Sequence, residues 1–359
     1  MNLTVTAAGP LQGSIRLPGD KSLSHRAALF AALARGESRI ENFLVSGVTR
    51  AMLDALTALG VPYALQGTTL SVQGRGPDGL NPPAAPLNCG NSATTLRLLA
   101  GALAMAGVPA VLDGSVGRRK RPMERIVDPL RQMGVDIITS SGCAPLTLGR
   151  STFPLRPLDY RLPVASAQVK TCLLLAALAA GGPSTLREPG PSRDHTERLL
   201  RSLGVSLTAE KGLENGAPVY ITRLVPPYSL QLPPLRFVLP GDFSAAAFLI
   251  VAGLIVPGSR LTLHDVGLNP GRTGLLDALL SMGADICIDR PSTRGGEPVG
   301  DLIVTHSRLH GTDISGEQVV RMIDEFPIFA VAAACAEGVS RVSDAAELRL
   351  KESDRISGL

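Results

Sequence analysis

The sequence contains no tryptophan, and only 3% of its 359 residues are aromatic. Its 35 lysines and arginines are scattered along the chain, and the net charge is a mild +4. Without a basic cluster or aromatic side chains on which bases could stack, the composition predicts no nucleic-acid partner. The mild positive charge fits a small anionic substrate, although a solvated basic surface would have the same composition.

Cysteine is sparse, and no two cysteines form a C-x-x-C pair. The five are Cys89, Cys143, Cys172, Cys287 and Cys335. Their wide spacing argues against a disulfide framework or a structural zinc site, and it predicts a reducing, cytoplasmic environment. His306 and His310 are four residues apart but have no third ligand near them in sequence, so we expect no metal site.

Long hydrophobic runs are also lacking. The longest, residues 245–257, is shorter than the stretch of about 20 apolar residues that spans a bilayer. The N-terminal segment MNLTVTAAGPLQGSIRLPG has neither a basic leader nor a long apolar core, so it predicts strand, turn and strand rather than a signal peptide. We therefore expect no membrane partner. The length of 359 residues predicts two domains.

What the sequence does contain is a repeat. A helix rich in alanine and leucine, with a small polar start, recurs five times and is each time followed by glycine and a β-branched strand. The closing glycines are Gly36, Gly107, Gly182, Gly258 and Gly338. These first helices are apolar all round, which is typical of helices buried inside a domain.

A second helix interleaves with the first and ends in Leu or Met, then Gly, then Val or Ala. Its glycines are Gly60, Gly134, Gly204 and Gly283, and each is predicted to end a helix in the left-handed conformation. The two series predict an α/β fold of βαβαββ units, each about 75 residues long.

Five first helices are present but only four second helices. The fifth second helix is expected to begin near Lys351, and the chain ends at Leu359 before its Leu-Gly. We therefore expect that the sequence is truncated inside the fifth unit and that a sixth unit is missing. A natural end after an irregular last repeat is the alternative.

The starts of the first helices carry residues that suit an anion site. They are Lys21 and Ser22, then Asn91, then Ser166, Ala167 and Gln168. A helix N-terminus offers backbone N–H groups and a positive dipole end to phosphate or carboxylate. Ordinary capping is the alternative, and for Asp242 and Ser244 it stays equally open. Lysine and glutamine add nothing as caps, so Lys21 and Gln168 favour binding.

The starts of the second helices are basic, with Arg121, Arg193, Arg272, Lys351 and Arg355 at or near them. Cations there oppose the helix dipole, so a repeated basic placement indicates function, with a solvated surface as the alternative. Acidic residues join them: Asp324 and Glu325 open the fifth first helix, and Glu352 lies among cations. A carboxylate in such surroundings can act as a general acid or base, although Asp324 and Glu325 could also be plain caps.

At these residues the sequence strongly resembles the 5-enolpyruvylshikimate-3-phosphate synthase family, and it is most similar to the bacterial branch often called class II. The matching blocks run in order over essentially the whole chain: LPGDKSLSHRA, GNSATTLRLLAG, KRPM, VASAQVK, SRDHTERLL, LPGDFSAAAF, RTGLLDAL, MIDEFPIFAVAAACAEG and ELRLKESDR.

The resemblance implies the two-domain enolpyruvyl transferase fold, an inside-out α/β barrel with three repeats in each domain that close over the substrates. The upper domain is expected to span residues 17–235, and the discontinuous lower domain residues 1–16 and 236–359. The implied activity is transfer of the enolpyruvyl group from phosphoenolpyruvate to the 5-hydroxyl of shikimate 3-phosphate, through a tetrahedral intermediate. No metal or other cofactor is implied, and the protein is expected to be a cytoplasmic monomer.

The resemblance also implies a role for each matching residue. The catalytic residues are Lys21, Asp324 and Glu352. The ligands of shikimate 3-phosphate are Lys21, Ser22, Arg26, Ser166, Ala167, Gln168, Arg193, Asp324 and Lys351. The ligands of phosphoenolpyruvate are Lys21, Asn91, Ala93, Arg121, Gln168 and Arg355. Asp324 matches the acid that takes the 5-hydroxyl proton, and Glu352 the group that delivers and removes the methylene proton.

Two departures from the family pattern carry expectations of their own. Much of the family has glycine where this chain has Ala93, and the extra methyl predicts weak inhibition by glyphosate. An Asp-His-Arg segment and a late lysine are missing, so we expect impaired turnover, with binding of shikimate 3-phosphate alone as the alternative function. A UDP-sugar enolpyruvyl transferase is a further alternative, but the loop DGSVGRRKRPM has no catalytic cysteine.

Overall fold

The computed structural model describes residues 4, 9–117, 119–350 and 353–359. It divides into two compact units. The split unit comprises Met1–Pro18 and Pro240–Leu359, and the continuous unit comprises Gly19–Leu239. Among the helices described, none is long and apolar enough to cross a membrane.

The α-helices alternate with strands along most of the chain. The helices are α1 (Lys21–Leu33), α2 (Gly47–Ala58), α3 (Ala93–Ala106), α4 (Glu124–Gln132), α5 (Ala167–Ala177), α6 (His195–Ser202), α7 (Phe243–Ile255), α8 (Gly274–Ser281), α9 (Glu317–Arg321) and α10 (Phe326–Ala334). The strands are β1 (Gln12–Arg16), β2 (Arg35–Glu41), β3 (Tyr63–Gln66), β4 (Thr69–Arg75), β5 (Leu87–Asn88), β6 (Ala110–Asp113), β7 (Ile137–Ser140), β8 (Cys143–Leu148), β9 (Asp159–Arg161), β10 (Ser184–Glu188), β11 (Ser206–Glu214), β12 (Ala217–Val225), β13 (Arg236–Val238), β14 (Arg260–Gly267), β15 (Asp285–Arg294), β16 (Glu297–Thr305), β17 (Asp313–Ile314) and β18 (Arg341–Val342).

The four-stranded sheets share one strand order. They run β13-β2-β4-β3, β5-β6-β8-β7 and β9-β10-β12-β11 in the continuous unit and β1-β14-β16-β15 in the split unit. In each sheet the first two strands are parallel and the remaining neighbours are antiparallel. This is the βαβαββ unit that the repeats predict.

Strands β1 and β13, each the first strand of its sheet, do not belong to the compact unit that follows them in the chain. Strand β1 precedes α1 but pairs with β14 of the split unit, from Gln12 with Arg260 to Arg16 with His264. Strand β13 precedes α7 but pairs with β2 of the continuous unit. The chain therefore changes unit after Pro18 and again after Leu239. The boundaries predicted from the sequence, after residues 16 and 235, lie two and four residues earlier. The prediction did not assign Leu17 and Pro18 to the split unit, and it did not assign β13 to the continuous unit, where this strand pairs with β2.

The first helices of the continuous unit are buried inside it. Of the 13 residues of α1, 12 are buried, and the core formed by α1, α3 and α5 contains Phe30, Leu99 and Leu174. Small residues let these helices approach one another closely. A Cβ on Gly101 of α3 would lie only 2.2 Å from the backbone oxygen of Cys172 of α5, so the two backbones are in contact there.

The four glycines predicted to end the second helices all have positive φ angles. The angles are 82° at Gly60, 90° at Gly134, 85° at Gly204 and 88° at Gly283. Each glycine directly follows the C-cap residue of α2, α4, α6 or α8. The left-handed conformation that glycine adopts without strain turns the chain from helix to strand, as the sequence predicts.

The split unit has its own core, which includes Phe243, Leu275 and Phe329. Its first helices are less enclosed, since 59% of Phe248 in α7 and 44% of Val331 in α10 is exposed. The helix predicted to begin near Lys351 is absent from the described residues 353–359, which form turns. The Asp354 carboxylate accepts hydrogen bonds from the backbone nitrogens of Ile356 and Ser357, a local pattern that competes with helix formation.

Candidate active site

The first predicted site residues lie at the start of α1. The cap is Asp20, whose carboxylate accepts a hydrogen bond from the backbone nitrogen of Leu23 at 2.8 Å. Lys21, the first residue of the helix, is exposed, and Ser22 beside it is 9% exposed. Since Asp20 supplies the cap, neither Lys21 nor Ser22 is needed for it. A lysine here opposes the helix dipole, and both side chains lie where an anion binds well.

Arg26 lies one turn further along α1 and is only 2% exposed. Its Nε donates to Thr196 Oγ1 and its Nη2 to Thr171 Oγ1, both at 2.8 Å. Its Nη1 donates to the backbone oxygen of Ser22 at 3.0 Å. The guanidinium group therefore ties α1 to α5 and α6. Arginine carries five N–H donors, and three of them are used in these bonds.

His25 joins the starts of α1 and α3. Its Nδ1 lies 2.8 Å from the backbone oxygen of Lys21, and its Nε2 lies 3.1 Å from Ser92 Oγ. Nε2 also lies 3.2 Å from the backbone oxygen of Val48, so each ring nitrogen faces a backbone oxygen that can only accept, and the neutral ring can donate to one of them. Burial lowers the pKa of His25 to about 4, which leaves the ring neutral at pH 7.

Ser92 caps α3 by accepting from the backbone nitrogen of Thr95 at 3.0 Å. Two predicted site residues flank this cap. Asn91 is exposed and accepts from the hydroxyl of Ser115 at 2.5 Å, and Ala93 is 7% exposed as the first residue of the helix. The loop before α3 is thus held by its own hydrogen bonds.

Gln168, in the first turn of α5, is held by two residues of α3. Arg97 Nη1 donates to its Oε1 at 2.7 Å, and its Nε2 donates to Thr94 Oγ1 at 2.9 Å. The contact between the α3 and α5 backbones at Gly101 brings these side chains within reach. The amide group therefore has one orientation, with its nitrogen toward Thr94.

The half-buried residues Ser166 and Ala167 begin α5, and a buried charge cluster lies behind them. The Ser166 hydroxyl caps the helix, and the Ser166 backbone nitrogen donates to Glu188 Oε1 at 3.0 Å. Lys170 Nζ lies 2.6 Å from both Glu188 Oε2 and Glu197 Oε1. Burial opposes the charge on Lys170, but the two carboxylates outweigh it and raise its pKa.

Arg193 is half-buried and lies directly before Asp194, at the start of α6. The residue before it, Ser192, donates its hydroxyl hydrogen bond to Glu188 Oε2 at 3.0 Å. The same carboxylate therefore contacts the segments that carry Ser166 and Arg193. Arg121 is also half-buried, two residues before the Met123 cap of α4.

These hydrogen bonds bring the N-terminal ends of α1, α3, α5 and α6 together in the continuous unit. We call this group of ends the helix-start cluster. Each end presents backbone N–H groups and the positive pole of a helix, and Lys21 and Arg193 add cationic side chains. The cluster is suited to a ligand with several negative charges.

The split unit holds the other described site residues. Asp324 is half-buried two residues before α10, and Arg355 Nη1 donates to its Oδ1 at 3.2 Å. The same Nη1 donates to the backbone oxygen of Ile323 at 2.6 Å. The predicted site residues Lys351 and Glu352 lie outside the described residues.

Glu325 and Arg272 belong to one buried network of polar side chains. Glu325 occupies the cap position of α10, but its side chain makes no capping hydrogen bond. Instead it accepts from the hydroxyl of Ser244 and lies 4.0 Å from Arg272, which is 3% exposed. Arg272 also contacts Asp242 at 3.2 Å, and Asp242 caps α7 in the ordinary way. The alternative interpretation of Arg272 as part of a solvated basic surface is therefore wrong.

The sequence matches the family model for EPSP synthase (3-phosphoshikimate 1-carboxyvinyltransferase) over residues 5–359. A relative from Salinibacter ruber named 3-phosphoshikimate 1-carboxyvinyltransferase is 47% identical over 99% of this chain and 81% of its own length. One of the same name from Xanthomonas campestris pv. campestris is 48% identical over 97% of this chain and 78% of its own. The chain belongs to the EPSP synthase family.

Solved structures agree with this membership. The 2.37 Å structure of EPSP synthase from Acinetobacter baumannii matches with a TM-score of 0.85 and 40% identity over 98% of this chain and 77% of that one. The enolpyruvyl transferase NikO from Streptomyces tendae has a TM-score of 0.63 at 21% identity, which shows the fold alone. The predicted enolpyruvyl transferase fold is confirmed. The comparisons do not support the expected truncation.

Three residues that position the site in this EPSP synthase family member were not found by sequence reasoning. They are Thr94 and Arg97, which hold Gln168, and Glu188, which contacts the segments of Ser166 and Arg193. Arg97 carried a usable signal, because it is the only charged residue in helix α3. Glu188 carried none, since a glutamate at the end of a strand is ordinary.

Proposed function

We propose that this protein transfers the enolpyruvyl group of phosphoenolpyruvate to the 5-hydroxyl of shikimate 3-phosphate and releases phosphate. The observation that carries the proposal is the match to the EPSP synthase model over residues 5–359. The helix-start cluster supports it independently, because both substrates carry several negative charges and helix N-termini with nearby cations bind such groups well.

The reaction is an addition followed by an elimination. The 5-hydroxyl oxygen bonds to C2 of phosphoenolpyruvate while its C3 methylene takes up a proton, which gives a tetrahedral intermediate. Loss of phosphate and of one C3 proton then restores the double bond. No atom is oxidised or reduced overall, so the protein has to move protons and stabilise anions, and we propose no cofactor.

For shikimate 3-phosphate we propose ligands from the helix-start cluster. They are Lys21, Ser22, Arg26, Ser166, Ala167, Gln168 and Arg193. Lys21 and Arg193 supply charge, and the first turns of α1 and α5 supply hydroxyl and backbone N–H donors. The neutral form of His25 favours this role for Lys21, because a charged imidazole one turn away would repel the lysine.

For phosphoenolpyruvate we propose Lys21, Asn91, Ala93, Arg121, Gln168 and Arg355. The fixed orientation of Gln168 supports its part, since an amide held by Arg97 and Thr94 loses little freedom when a ligand binds. Ala93 limits the space at the first turn of α3.

For proton transfer we propose Asp324 as the base that takes the 5-hydroxyl proton. Lys351 assists at that oxygen, also as a ligand of shikimate 3-phosphate, and Glu352 exchanges the methylene proton. Only Asp324 of these three lies within the described residues, and its contact with Arg355 fixes its carboxylate. We further propose that the protein is a cytoplasmic monomer without nucleic-acid or membrane partners.

Two measurements on the purified protein test the proposal. Phosphate release is followed with both substrates present, and each substrate is titrated separately by calorimetry. We expect binding of shikimate 3-phosphate and phosphate release that requires both substrates. Binding of shikimate 3-phosphate without phosphate release would favour a binding function instead, and failure to bind shikimate 3-phosphate would overturn the proposal.

A further inference from the structure

The buried cluster of Lys170, Glu188 and Glu197 is not part of the mechanism described above. These side chains are at most 5% exposed, and the lysine nitrogen lies 2.6 Å from an oxygen of each glutamate. One lysine and two glutamates give a formal net charge of −1 when all are ionised. Removing such charges from water costs stability, so a buried ion cluster is weak evidence for a purely stabilising role.

The two glutamates differ in what else they contact. Glu188 uses Oε1 to accept from the backbone nitrogen of Ser166 and Oε2 to accept from the hydroxyl of Ser192. Glu197 contacts the same lysine at the same distance, but its Oε2 has no hydrogen-bond partner among the described residues. Only Glu188 connects the start of α5 to the segment before α6.

Both connected segments carry proposed ligands of shikimate 3-phosphate. Ser166 directly precedes Ala167 and Gln168, and Ser192 directly precedes Arg193. Beside the 2.6 Å contact between the Thr171 and Thr196 hydroxyls further along α5 and α6, one carboxylate therefore connects a helix N-terminus and the segment of an arginine that are proposed to bind one ligand. Charge-assisted hydrogen bonds suit this task, because they are shorter and stronger than neutral ones.

We propose that Glu188 is a positioning residue for shikimate 3-phosphate. It holds the start of α5 and the segment of Arg193 in register, and it pairs with Lys170 at 2.6 Å. Glu197 neutralises Lys170 but does not position the ligand. This inference rests on the proposed function, which supplies the identity of the ligand.

The chain offers a matched set of variants. Glu188→Ala leaves the Ser166 nitrogen and the Ser192 hydroxyl without their acceptor, and Glu188→Gln keeps an oxygen for one of them. Glu197→Gln removes the same charge from the same lysine without touching either segment. Asp159→Asn removes the exposed ion pair with Arg187, the neighbour of Glu188 on β10, and controls for loss of a carboxylate from this sheet.

Calorimetric titration with shikimate 3-phosphate and steady-state kinetics are measured for each variant. We expect Glu188→Ala to raise the Kd and the KM for shikimate 3-phosphate about tenfold or more. The KM for phosphoenolpyruvate should change less than threefold, and Glu188→Gln should be intermediate. Glu197→Gln and Asp159→Asn should leave the Kd for shikimate 3-phosphate within about twofold, even if Glu197→Gln lowers the Tm.

Hydrogen exchange gives a readout that needs no substrate. Peptides covering residues 162–170 and 189–195 should exchange faster in both Glu188 variants than in the unmodified protein. Their exchange rates should be unchanged in Glu197→Gln. Equal effects of the Glu188 and Glu197 variants on exchange or on the Kd would overturn the inference, as would no effect of either Glu188 variant. If the unmodified protein does not bind shikimate 3-phosphate, the proposed function fails, and the exchange rates still decide whether Glu188 positions these segments.

Discussion

Arg355 holds Asp324 through one nitrogen, which donates to the Asp324 carboxylate at 3.2 Å and to the backbone oxygen of Ile323 at 2.6 Å. The arginine thus fixes both the side chain proposed to act as the base and the peptide next to it. A base must lie within hydrogen-bond reach of its proton, so the placement of Asp324 depends on this contact.

We expect Arg355→Gln to lower kcat/KM about 100-fold, because misplacing a reacting group by about 1 Å has an effect of that size. The loss should appear in kcat as well as in the KM for phosphoenolpyruvate, since Arg355 is proposed both to bind that substrate and to orient Asp324. Arg341→Gln, at an exposed arginine of the same unit, should have no such effect. A change in KM alone would show that Arg355 binds the substrate without orienting Asp324.

The orientation of Gln168 gives a second prediction. Arg97→Met removes the donor to Gln168 Oε1 and lets the amide rotate. We expect the KM for phosphoenolpyruvate to rise about tenfold, because a half-buried acceptor loses its charged partner. Arg50→Met, at an exposed position of α2, is the matched control and should behave like the unmodified protein. An unchanged KM in Arg97→Met would refute the orienting role of Arg97.

Patterns that repeat along the chain predicted much of the fold. Gly60, Gly134, Gly204 and Gly283 all adopt the left-handed conformation that their position after Leu or Met indicates. The βαβαββ unit follows from the alternation of these glycines with those that close the first helices. Both are local signals, because a helix end depends on the few residues around it.

Contacts between distant residues were not predictable in this way. Strand β1 pairs with β14, and β13 pairs with β2, so neither strand belongs to the unit that follows it in the chain. The acidic partners of Arg272 lie 30 and 53 residues away in sequence. A basic residue at a helix start has the same sequence signal whether it faces a ligand or a buried carboxylate. The sequence therefore identified the helix starts of the proposed site but not the residues that support them.

Four of the five thiol groups should fall into two classes, with the half-buried Cys143 between them. Cys89 and Cys172 are buried, and burial raises the pKa of each to about 12, so neither forms a reactive thiolate at pH 8. Cys287 and Cys335 are exposed. We expect Ellman's reagent to modify Cys287 and Cys335 within minutes and Cys89 and Cys172 only after unfolding, with the sites assigned by mass spectrometry. Rapid modification of Cys172 would contradict the close packing of α3 and α5.

Ala93 gives a prediction that follows from the family resemblance. It is the first residue of α3 and only 7% exposed, so its methyl group occupies space beside the proposed phosphoenolpyruvate ligands. We expect Ala93→Gly to lower the inhibition constant of glyphosate at least about tenfold, which corresponds to about 1.4 kcal/mol. Ala58→Gly makes the same change at an exposed position of α2 and should leave inhibition unaltered. Equal inhibition of Ala93→Gly and the unmodified protein would contradict the prediction.

His25 should make the continuous unit sensitive to acid. Its pKa is about 4 in the folded protein, chiefly because of burial, and about 6.5 in an unfolded chain. Between these values the unfolded chain binds more protons, so the free energy of unfolding falls as the pH falls through this window. At pH 5 the loss from His25 is about 2 kcal/mol relative to pH 7.

Urea unfolding at pH 7 and pH 5, followed by circular dichroism, measures this contribution. His25→Gln should be less stable than the unmodified protein at pH 7, because the bonds to Lys21 and Ser92 are weakened. Its stability should, however, fall less on acidification, by about 2 kcal/mol. His310→Gln, at an exposed histidine, should keep the full pH dependence. If His25→Gln keeps it as well, the acid sensitivity arises elsewhere and His25 is not the neutral link between α1 and α3.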